Sequence, residues 1–284
     1  MIVIAMQPEI SFVNAEILNP SLTAAQFDTI RDILYRLCGI NLAPGKEGLV
    51  KTRLTKRLRA LGLKSFDEYL NFLKVNPAEL TTMVDCLTTN KTNFFREIHH
   101  FNYLREEFLP KYKQRSCRIR FWSAGCSSGE EAYSLAILLN EELPDRKRWD
   151  VRILATDIST RMLAKAREAV FEEESLREVP PLWRQKYFVC LSREPRLYKV
   201  CDDIRRMVRL ARLNLMDDWP MAGFFDAILC RNVMIYFDKP TQEKLVGRFW
   251  ELLAPGGLLL VGHSESLTTF PHKFHYAQPA VYVK

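Results

Sequence analysis

The sequence predicts a mixed α/β protein in which a small all-helical domain precedes a mostly parallel sheet. Residues 22–90 follow the period of an amphipathic helix, whereas strand-like and helix-like segments alternate after Lys111. A charged stretch with Pro180, Pro181 and Pro195 interrupts this alternation, and it has two short strand-like pieces typical of an inserted antiparallel β unit. The expected divisions are an N-terminal tail at 1–20, a helical domain at 21–92, a linker helix at 93–115 and a sheet domain at 116–284, with the insertion at about 172–206.

Four helices are predicted in the first domain. Apolar residues recur there at spacings of three and four, and the first two helices end near Gly39 and Gly62. The third begins with a capping box, in which Ser65 is followed three residues later by Glu68. Pro77 introduces the fourth helix.

The second helix is strongly basic. Between Gly48 and Phe66 there are six Lys or Arg residues and no acidic residue that could form i,i+4 pairs with them. At about 100° per residue, three of the basic side chains lie within roughly a third of the helix circumference. We interpret this face as a docking surface for an acidic partner, the alternative being a solvated face; its residues are Arg53, Lys56, Arg57 and Arg59.

The second half of the chain alternates strands with helices. Its strands are expected at 118–123, 151–156, 207–211, 226–230, 258–262 and 281–284, its helices at 130–143, 160–169 and 241–253, and the two strands of the insertion at 187–191 and 197–200.

A turn of small residues joins the first strand to its helix. Gly125 and Gly129 enclose Cys126, Ser127 and Ser128, which allows the backbone to approach a ligand closely at a helix N-terminus. The helix then opens with two glutamates, where a phosphate site would offer Lys or Arg. The sequence therefore favours a cationic cofactor such as S-adenosylmethionine over ATP or NAD. The alternative to a cofactor site is a structural turn in which the two glutamates only complement the helix dipole.

Polar residues follow two other strands of the predicted sheet. Asp157 ends the second strand, where an acid commonly accepts hydrogen bonds from ribose hydroxyls and where it can also cap the following helix. Arg231 and Asn232 emerge from the strand at 226–230. Because parallel strands end at the same edge of a sheet, these side chains are expected to line one pocket.

Several longer motifs together resemble one branch of the class I S-adenosylmethionine methyltransferases, which have a Rossmann-like sheet. The branch is the bacterial chemoreceptor glutamate methyltransferases, CheR, and the similarity covers about residue 22 to the end. The motifs are Leu87 to Glu97 (LTTNKTNFFRE), Ser123-Ala124-Gly125, Gly129 to Ser134 (GEEAYS), Cys230 to Phe237 (CRNVMIYF) and Gly262 to Glu265 (GHSE).

The resemblance implies a site and a reaction. An unperturbed glutamate side chain has a pKa of about 4.3, so it is already ionised near neutral pH and needs no general base; positioning and exclusion of water would supply catalysis. Phe94 and Phe95 are expected to pack between the domains. By resemblance, Asn90, Thr92 and Arg96 close over the cofactor, and Glu130 and Asp157 hold its methionine and ribose parts. Asn214 and Leu215 lie near its adenine, and the pocket is also lined by Gly125, Arg231 and Asn232. Tyr236 lies with Arg96 beside the transferred methyl group.

The expected partner is the cytoplasmic domain of a chemoreceptor, and in that family the basic helix faces it. Family members that bind a receptor's C-terminal peptide carry a glycine-rich loop in the small β unit. The matching segment, Cys190 to Leu197, has no glycine, so we expect no such tether.

Composition excludes several other classes of protein. The net charge of +7 suggests an acidic partner without naming its kind. Seven cysteines without a CxxC pair or zinc spacing indicate reduced intracellular thiols, and no metal site is expected. His99 and His100 are interpreted as surface or interdomain residues. No signal peptide or membrane-spanning run is evident, which favours a cytoplasmic monomer without membrane insertion.

Two other functions remain open from the sequence. A basic helical domain beside such a sheet would also suit an RNA methyltransferase, but Arg231-Asn232-Val233-Met234 differs from the Asn/Asp-Pro-Pro-Tyr/Phe turn used for base amino groups. Cys230 is expected to be a buried packing residue, not a nucleophile, so nucleic acid is not the expected partner. A catalytically silent cofactor sensor that binds receptors is the second alternative.

Overall fold

A computed structural model describes residues 19–113, 118–143 and 149–284. The described residues exclude most of the predicted N-terminal tail, the last two residues of the predicted linker helix and Cys117. None of the described helices is long and apolar enough to cross a membrane.

The helical domain has the four predicted helices: α1 (Ala24–Cys38), α2 (Glu47–Leu61), α3 (Phe66–Val75) and α4 (Pro77–Leu87). The glycines predicted to end α1 and α2 do so in left-handed conformation. Ser65 caps α3, but the Glu68 carboxylate accepts from the Lys64 N–H instead of closing the box on Ser65. A complete capping box, which the sequence reading missed, starts α1 at Thr23 and Gln26.

A helical stretch leads from this domain to the sheet. It consists of α5 (Ile98–Tyr103), one π-helical turn (Leu104–Phe108) and α6 (Leu109–Lys113). Its buried aromatic and leucine side chains belong to the same apolar cluster as the first strand of the sheet.

The sheet has seven strands, of which five are parallel. Its order is β6-β2-β1-β7-β8-β10-β9, so strand order reverses between β1 and β7. The sequence reading missed the edge strand β9, and β8 begins five residues earlier than expected. The strands are β1 (Arg118–Ala124), β2 (Asp150–Asp157), β6 (Val208–Arg212), β7 (Phe225–Cys230), β8 (Leu253–Val261), β9 (His275–Gln278) and β10 (Val281–Val283). The main helices between them are α7 (Glu130–Glu142), α8 (Thr160–Glu168) and α11 (Lys239–Leu252).

The insertion is a separate three-stranded antiparallel sheet in the order β3-β5-β4. Its strands are β3 (Val170–Glu172), which the sequence reading missed, β4 (Phe188–Arg193) and β5 (Arg196–Val200), with α9 (Pro181–Tyr187) before β4 and α10 (Asp202–Arg205) after β5. The predicted α/β fold with a helical domain and an inserted antiparallel unit is therefore confirmed.

The helical domain lies against the carboxyl edge of the sheet. The Tyr35 hydroxyl donates to Asp238, which caps α11, at 2.8 Å. The Thr160 hydroxyl, at the start of α8, donates to Asp85 of α4 at 2.6 Å. This packing encloses a cavity between the helical domain and the strand ends.

Candidate active site

A cavity of about 560 Å³ lies between the helical domain, the segment that follows α4 and the carboxyl ends of β1, β2 and β7. It is large enough for a nucleoside with an amino-acid tail. The structure brings to its wall all but one of the residues predicted to bind the cofactor or to act in catalysis: Asn90, Thr92, Arg96, Gly125, Asp157, Asn214, Leu215, Arg231, Asn232 and Tyr236. The sequence reading did not identify Lys46, Lys91 and Ser127, which also line it.

The turn after β1 requires a glycine at residue 125. Gly125 has φ +90°, and a Cβ built there would lie 2.4 Å from Cγ2 of Val233. The N–H groups of Gly125 and Cys126 donate to the Thr156 carbonyl at 2.8 and 2.9 Å, which fixes the turn beside the end of β2. The chain can thus pass close to a ligand at this point.

The two glutamates at the start of α7 have different surroundings, and only the second lines the cavity. Glu130 does not belong to the cavity lining; its buried carboxylate accepts from the Ser128 hydroxyl at 2.7 Å. Glu131 does line the cavity, and it accepts from the Ser123 hydroxyl at 2.6 Å. The carboxylate available to a ligand is therefore that of Glu131. Both glutamates are evident in the sequence, but the orientation of α7 after the turn determines which of the two side chains faces the cavity.

Arg231 is the centre of a buried network behind the cavity wall. Its guanidinium lies 3.0 Å from Oε2 of Glu131 and 3.1 Å from Oε2 of Glu97, and it also donates to the carbonyl of Arg96. Burial raises the pKa of Glu131 despite the attraction of Arg231. Burial would also raise the pKa of Glu97, but the charge and hydrogen bond of Arg231 outweigh it and lower that pKa. Glu97 is a site residue that the sequence reading missed.

Asp157 is anchored by backbone groups. Its Oδ2 accepts from the Ser127 N–H and its Oδ1 from the Ser159 N–H, both at 2.8 Å. Burial raises its pKa although these bonds act in the opposite direction. The sequence reading also expected Asp157 to cap the following helix. The residue that caps α8 is Ser159, whose hydroxyl accepts from the N–H of Met162. Each Asp157 oxygen keeps a lone pair for a ligand hydroxyl.

Asn214 joins the sheet to the helical domain at the far end of the cavity. Its Nδ2 donates to the carbonyl of Leu37 at 2.7 Å, and its Oδ1 accepts from the Met216 N–H at 3.1 Å. Leu215 beside it is buried and belongs to the apolar cluster of the sheet. A polar anchor next to an apolar surface suits a planar base.

The segment from Thr88 to Arg96 crosses the cavity. The Ser127 hydroxyl donates to the carbonyl of Asn90 at 2.9 Å, and Arg96 donates to that of Lys91 at 2.9 Å. Phe95 and Glu97, on either side of Arg96, have positive φ values of 52° and 56°. Such values are uncommon for residues other than glycine, which shows that the surrounding contacts determine the backbone here.

Phe94 and Phe95 are packing residues, as expected, but their partners differ from the prediction. Phe94 packs edge-on against Phe171 and Phe188 of the insertion, with ring centroids 4.9 and 5.2 Å away. Phe95 packs against Phe101 and against Trp183 of α9. These rings therefore support the Arg96 segment from the side of the insertion, not from the helical domain.

Arg53 and Arg57, which were predicted for docking, bind neighbouring elements of the chain, and this corrects the expectation that all four basic residues face a partner together. Arg53 donates to the carbonyls of Leu87 and Thr88 and to the Thr89 hydroxyl. Arg57 pairs with Glu79 of α4 at 2.6 Å, and that carboxylate is only 5% exposed. Lys56 and Arg59 remain exposed.

Three histidines and Glu97 lie together behind Arg231. Of the two expected locations, surface or interdomain, the burial of His100 excludes the surface, and its ring stacks on that of His263. His99 is exposed, and its Nε2 contacts Nε2 of His263. Burial, followed by the charge of Arg231, lowers the pKa of His100 to about 2.

The described cysteines are all free thiols. Cys230 is fully buried in β7, as expected for a packing residue, and Cys126 is buried in the turn after β1. Burial raises the pKa of both well above the usual value, which makes them poor nucleophiles.

The cavity offers chemistry suited to a cationic nucleoside. The Glu131 and Asp157 carboxylates lie on its wall, together with the amide of Asn214 and the close-approach turn at Gly125. None of the described residues forms a Gly-rich turn with the Lys-Ser/Thr ending of a phosphate loop. The carboxylates can accept hydrogen bonds from an amino group and from ribose hydroxyls, and the surface beside Asn214 fits an adenine ring.

Comparison with known proteins agrees with this geometry. The family model "CheR methyltransferase, all-alpha domain" matches residues 25–88, and "CheR methyltransferase, SAM binding domain" matches residues 90–283. The chemotaxis protein methyltransferase of Borreliella burgdorferi is 39% identical over 276 residues, which cover 94% of this chain and 96% of that protein. Chemotaxis protein methyltransferase 2 of Pseudomonas aeruginosa is 43% identical, covering 92% and 93%. The chemotaxis protein methyltransferase of Escherichia coli is 40% identical, covering 92% and 91%. The chain therefore belongs to the CheR methyltransferase family and is a methyltransferase that uses S-adenosylmethionine.

Proposed function

We propose that this protein methylates glutamate side chains on the cytoplasmic helices of chemoreceptors and so forms glutamyl methyl esters in a chemosensory pathway. The relatives are named chemotaxis protein methyltransferases. The observation that carries the proposal is that Arg96 and Tyr236 line the same cavity as the carboxylates suited to the cofactor. An anionic acceptor could thus be oriented beside a cationic donor in one enclosed space. The reaction would take place in the cytoplasm, where those receptor helices are.

Several residues would hold the cofactor. When bound, S-adenosylmethionine supplies an electrophilic methyl group on a positively charged sulfur. Glu131 would bind its ammonium group, and Asp157 would accept from its ribose hydroxyls. Asn214 and Leu215 would contact the adenine, and Asn90 and Thr92 would cover the site and exclude water.

Arg96 and Tyr236 would orient the acceptor carboxylate. Arg96 is half-buried and has one hydrogen bond inside the chain, to the carbonyl of Lys91, so its guanidinium keeps donors for a ligand. The acceptor carboxylate is already ionised near neutral pH, so no general base is needed. Its charge decreases as the new C–O bond forms, so an arginine that bound the anion too tightly would slow the reaction. Rate enhancement would come chiefly from positioning.

Basic residues around the cavity suit an acidic acceptor. Lys46, just before α2, and Lys91 line the cavity itself. Lys56 and Arg59 are exposed on the same helix, and we propose that they contact the receptor. Arg53 and Arg57 would act indirectly, by holding α2 against α4 and against the Thr88 segment.

The test is methyl transfer from methyl-labelled S-adenosylmethionine to chemoreceptor cytoplasmic fragments and, separately, to total RNA. A glutamyl ester releases its label as methanol in mild base, whereas methylated bases keep it. Base-labile label on the receptor fragment alone is the expected result. Base-stable label on RNA would refute the proposal, and binding of the cofactor without any transfer would favour a silent sensor.

A further inference from the structure

The cluster of Glu97, His100 and His263 is not explained by binding of the methyl donor. None of these three side chains belongs to the cavity lining. Nδ1 of His100 lies 3.6 Å from Oε2 of Glu97, and Nε2 of His263 lies 3.8 Å from the same oxygen. One potential ligand atom from each of the three residues lies within 4.8 Å of the others.

His100 is the most unusual member. Its side chain is fully buried, and neither ring nitrogen has a hydrogen-bond partner among the described residues. Leaving a buried polar group unpaired is unfavourable, so such groups are rare unless they have a ligand. Nδ1 of this ring is the nitrogen that approaches Glu97.

We propose that Glu97, His100 and His263 bind a divalent transition-metal ion of the zinc class, with the fourth position open to water. Imidazole nitrogens with one carboxylate form a common donor set for zinc, cobalt and nickel. Ligand atoms about 2.0–2.1 Å from a tetrahedral metal lie about 3.4 Å apart, so separations of 3.6 and 3.8 Å need only small side-chain rotations.

The charges around the cluster permit a cation. Arg231 opposes it, since its guanidinium lies 3.1 Å from Oε2 of Glu97. The carboxylates of Glu97 and Glu131 flank that one guanidinium, so they offset its charge. Because the ion would share Oε2 of Glu97 with Arg231, binding should loosen Arg231 from Glu97 at the back of the cavity wall. The proposal does not depend on which acceptor the enzyme uses.

The test is a titration of the purified full-length protein with Co²⁺, followed by visible absorption and calorimetry. We expect one ion per chain with the intense spectrum of tetrahedral Co²⁺, and displacement of the ion by Zn²⁺. The variant His263→Gln should weaken the affinity at least tenfold, and because that side chain is 38% exposed, the variant should fold. The control His275→Gln, on the exposed edge strand β9, should bind like the native protein.

Absence of a stoichiometric spectral change would overturn the proposal, as would equal binding by the native protein and His263→Gln. The thermal midpoint provides an independent measurement, because an ion that binds the folded state alone raises it. Co²⁺ should raise the midpoint of the native protein and of His275→Gln, but not that of His263→Gln. Methyl transfer assayed with a chelator present reports on the proposed function separately.

Discussion

Glu131 and Arg231 form a buried ion pair at the wall of the cavity, with Oε2 and Nη1 3.0 Å apart. The Arg231 side chain is only 2% exposed, and Glu97 lies on the other side of its guanidinium. Two carboxylates thus flank one guanidinium, which leaves net negative charge beside the space available to a cationic cofactor. Glu131 faces that space and Glu130 does not, although they are adjacent in the sequence.

We predict that Glu131→Gln weakens binding of S-adenosylmethionine at least tenfold, which corresponds to about 1.4 kcal/mol. The amide removes the charge that attracts the ammonium group and keeps the shape of the side chain. Glu130→Gln is the matched control and should bind the cofactor like the native protein. Calorimetry measures both affinities, and a larger loss in Glu130→Gln would reverse the assignment of the two glutamates.

Arg96→Ala should lower kcat/KM roughly 10- to 100-fold, because it removes the group that orients the acceptor carboxylate, and a hydrogen bond to a charged group contributes about 1.5–3 kcal/mol. The fold should survive, since Arg96 is half-buried and has one internal hydrogen bond. Steady-state methyl transfer and the thermal midpoint measure the two effects. Arg177→Ala, which removes an exposed arginine paired with Glu174, is the control and should keep full activity. Native turnover by Arg96→Ala would remove Arg96 from the site.

The basic helix α2 should separate into structural and docking residues. Arg57→Ala leaves the buried carboxylate of Glu79 without its counter-charge, which should cost roughly 3 kcal/mol of folding stability. Lys56→Ala should change stability by less than about 0.5 kcal/mol but raise the KM for a receptor fragment. Urea unfolding and methyl-transfer kinetics distinguish the two outcomes. If the KM for the receptor fragment were unchanged in both Lys56→Ala and Lys56→Glu, the receptor would dock elsewhere.

Gly125→Ala should cost more than Gly45→Ala, although both glycines have φ close to +90°. A left-handed conformation at alanine costs about 1–2 kcal/mol at either position. At Gly45 the added Cβ meets nothing within 4 Å, whereas at Gly125 it would collide with Val233 on the cavity wall. We expect cofactor affinity to fall in Gly125→Ala only. Equal affinities would show that the turn after β1 does not shape the binding site.

The β4–β5 hairpin should not bind the C-terminal peptide of a receptor. Its turn, Arg193 to Arg196, contains Pro195 and no glycine. Fluorescence titration with such a peptide should give no saturation at micromolar concentrations. Binding in that range would show that a glycine-rich loop is not required for the tether.

The long periodic elements were predictable, whereas short edge elements were not. The helices α1 to α4 repeat apolar residues over ten or more positions, so their pattern is visible. Strand β9 has four residues that are exposed or half-buried, and β3 has only three residues. Neither has enough alternation to distinguish a strand from a loop, because its pairing depends on a partner distant in the sequence.

Some cavity-lining residues could be predicted from the strand order and others only from the family resemblance, whereas their hydrogen-bond and ion-pair partners could not be predicted. Asp157 and Arg231 end parallel strands, so their convergence at one edge could be inferred from topology. The role of Glu97 depends on a left-handed backbone that points it toward Arg231, and no sequence pattern predicts that conformation. Likewise, Glu79 neutralises Arg57 from another helix, so a charge count along α2 alone could not reveal it.

The most direct test of the central claim is to locate the methyl group on a chemoreceptor cytoplasmic fragment by peptide mass spectrometry after reaction with S-adenosylmethionine. The account predicts a methyl ester on glutamate side chains, lost on mild base treatment and strongly reduced when Arg96→Ala replaces the native enzyme. A methyl group on lysine, arginine or any other base-stable position, or one that forms equally well with Arg96→Ala, would contradict it.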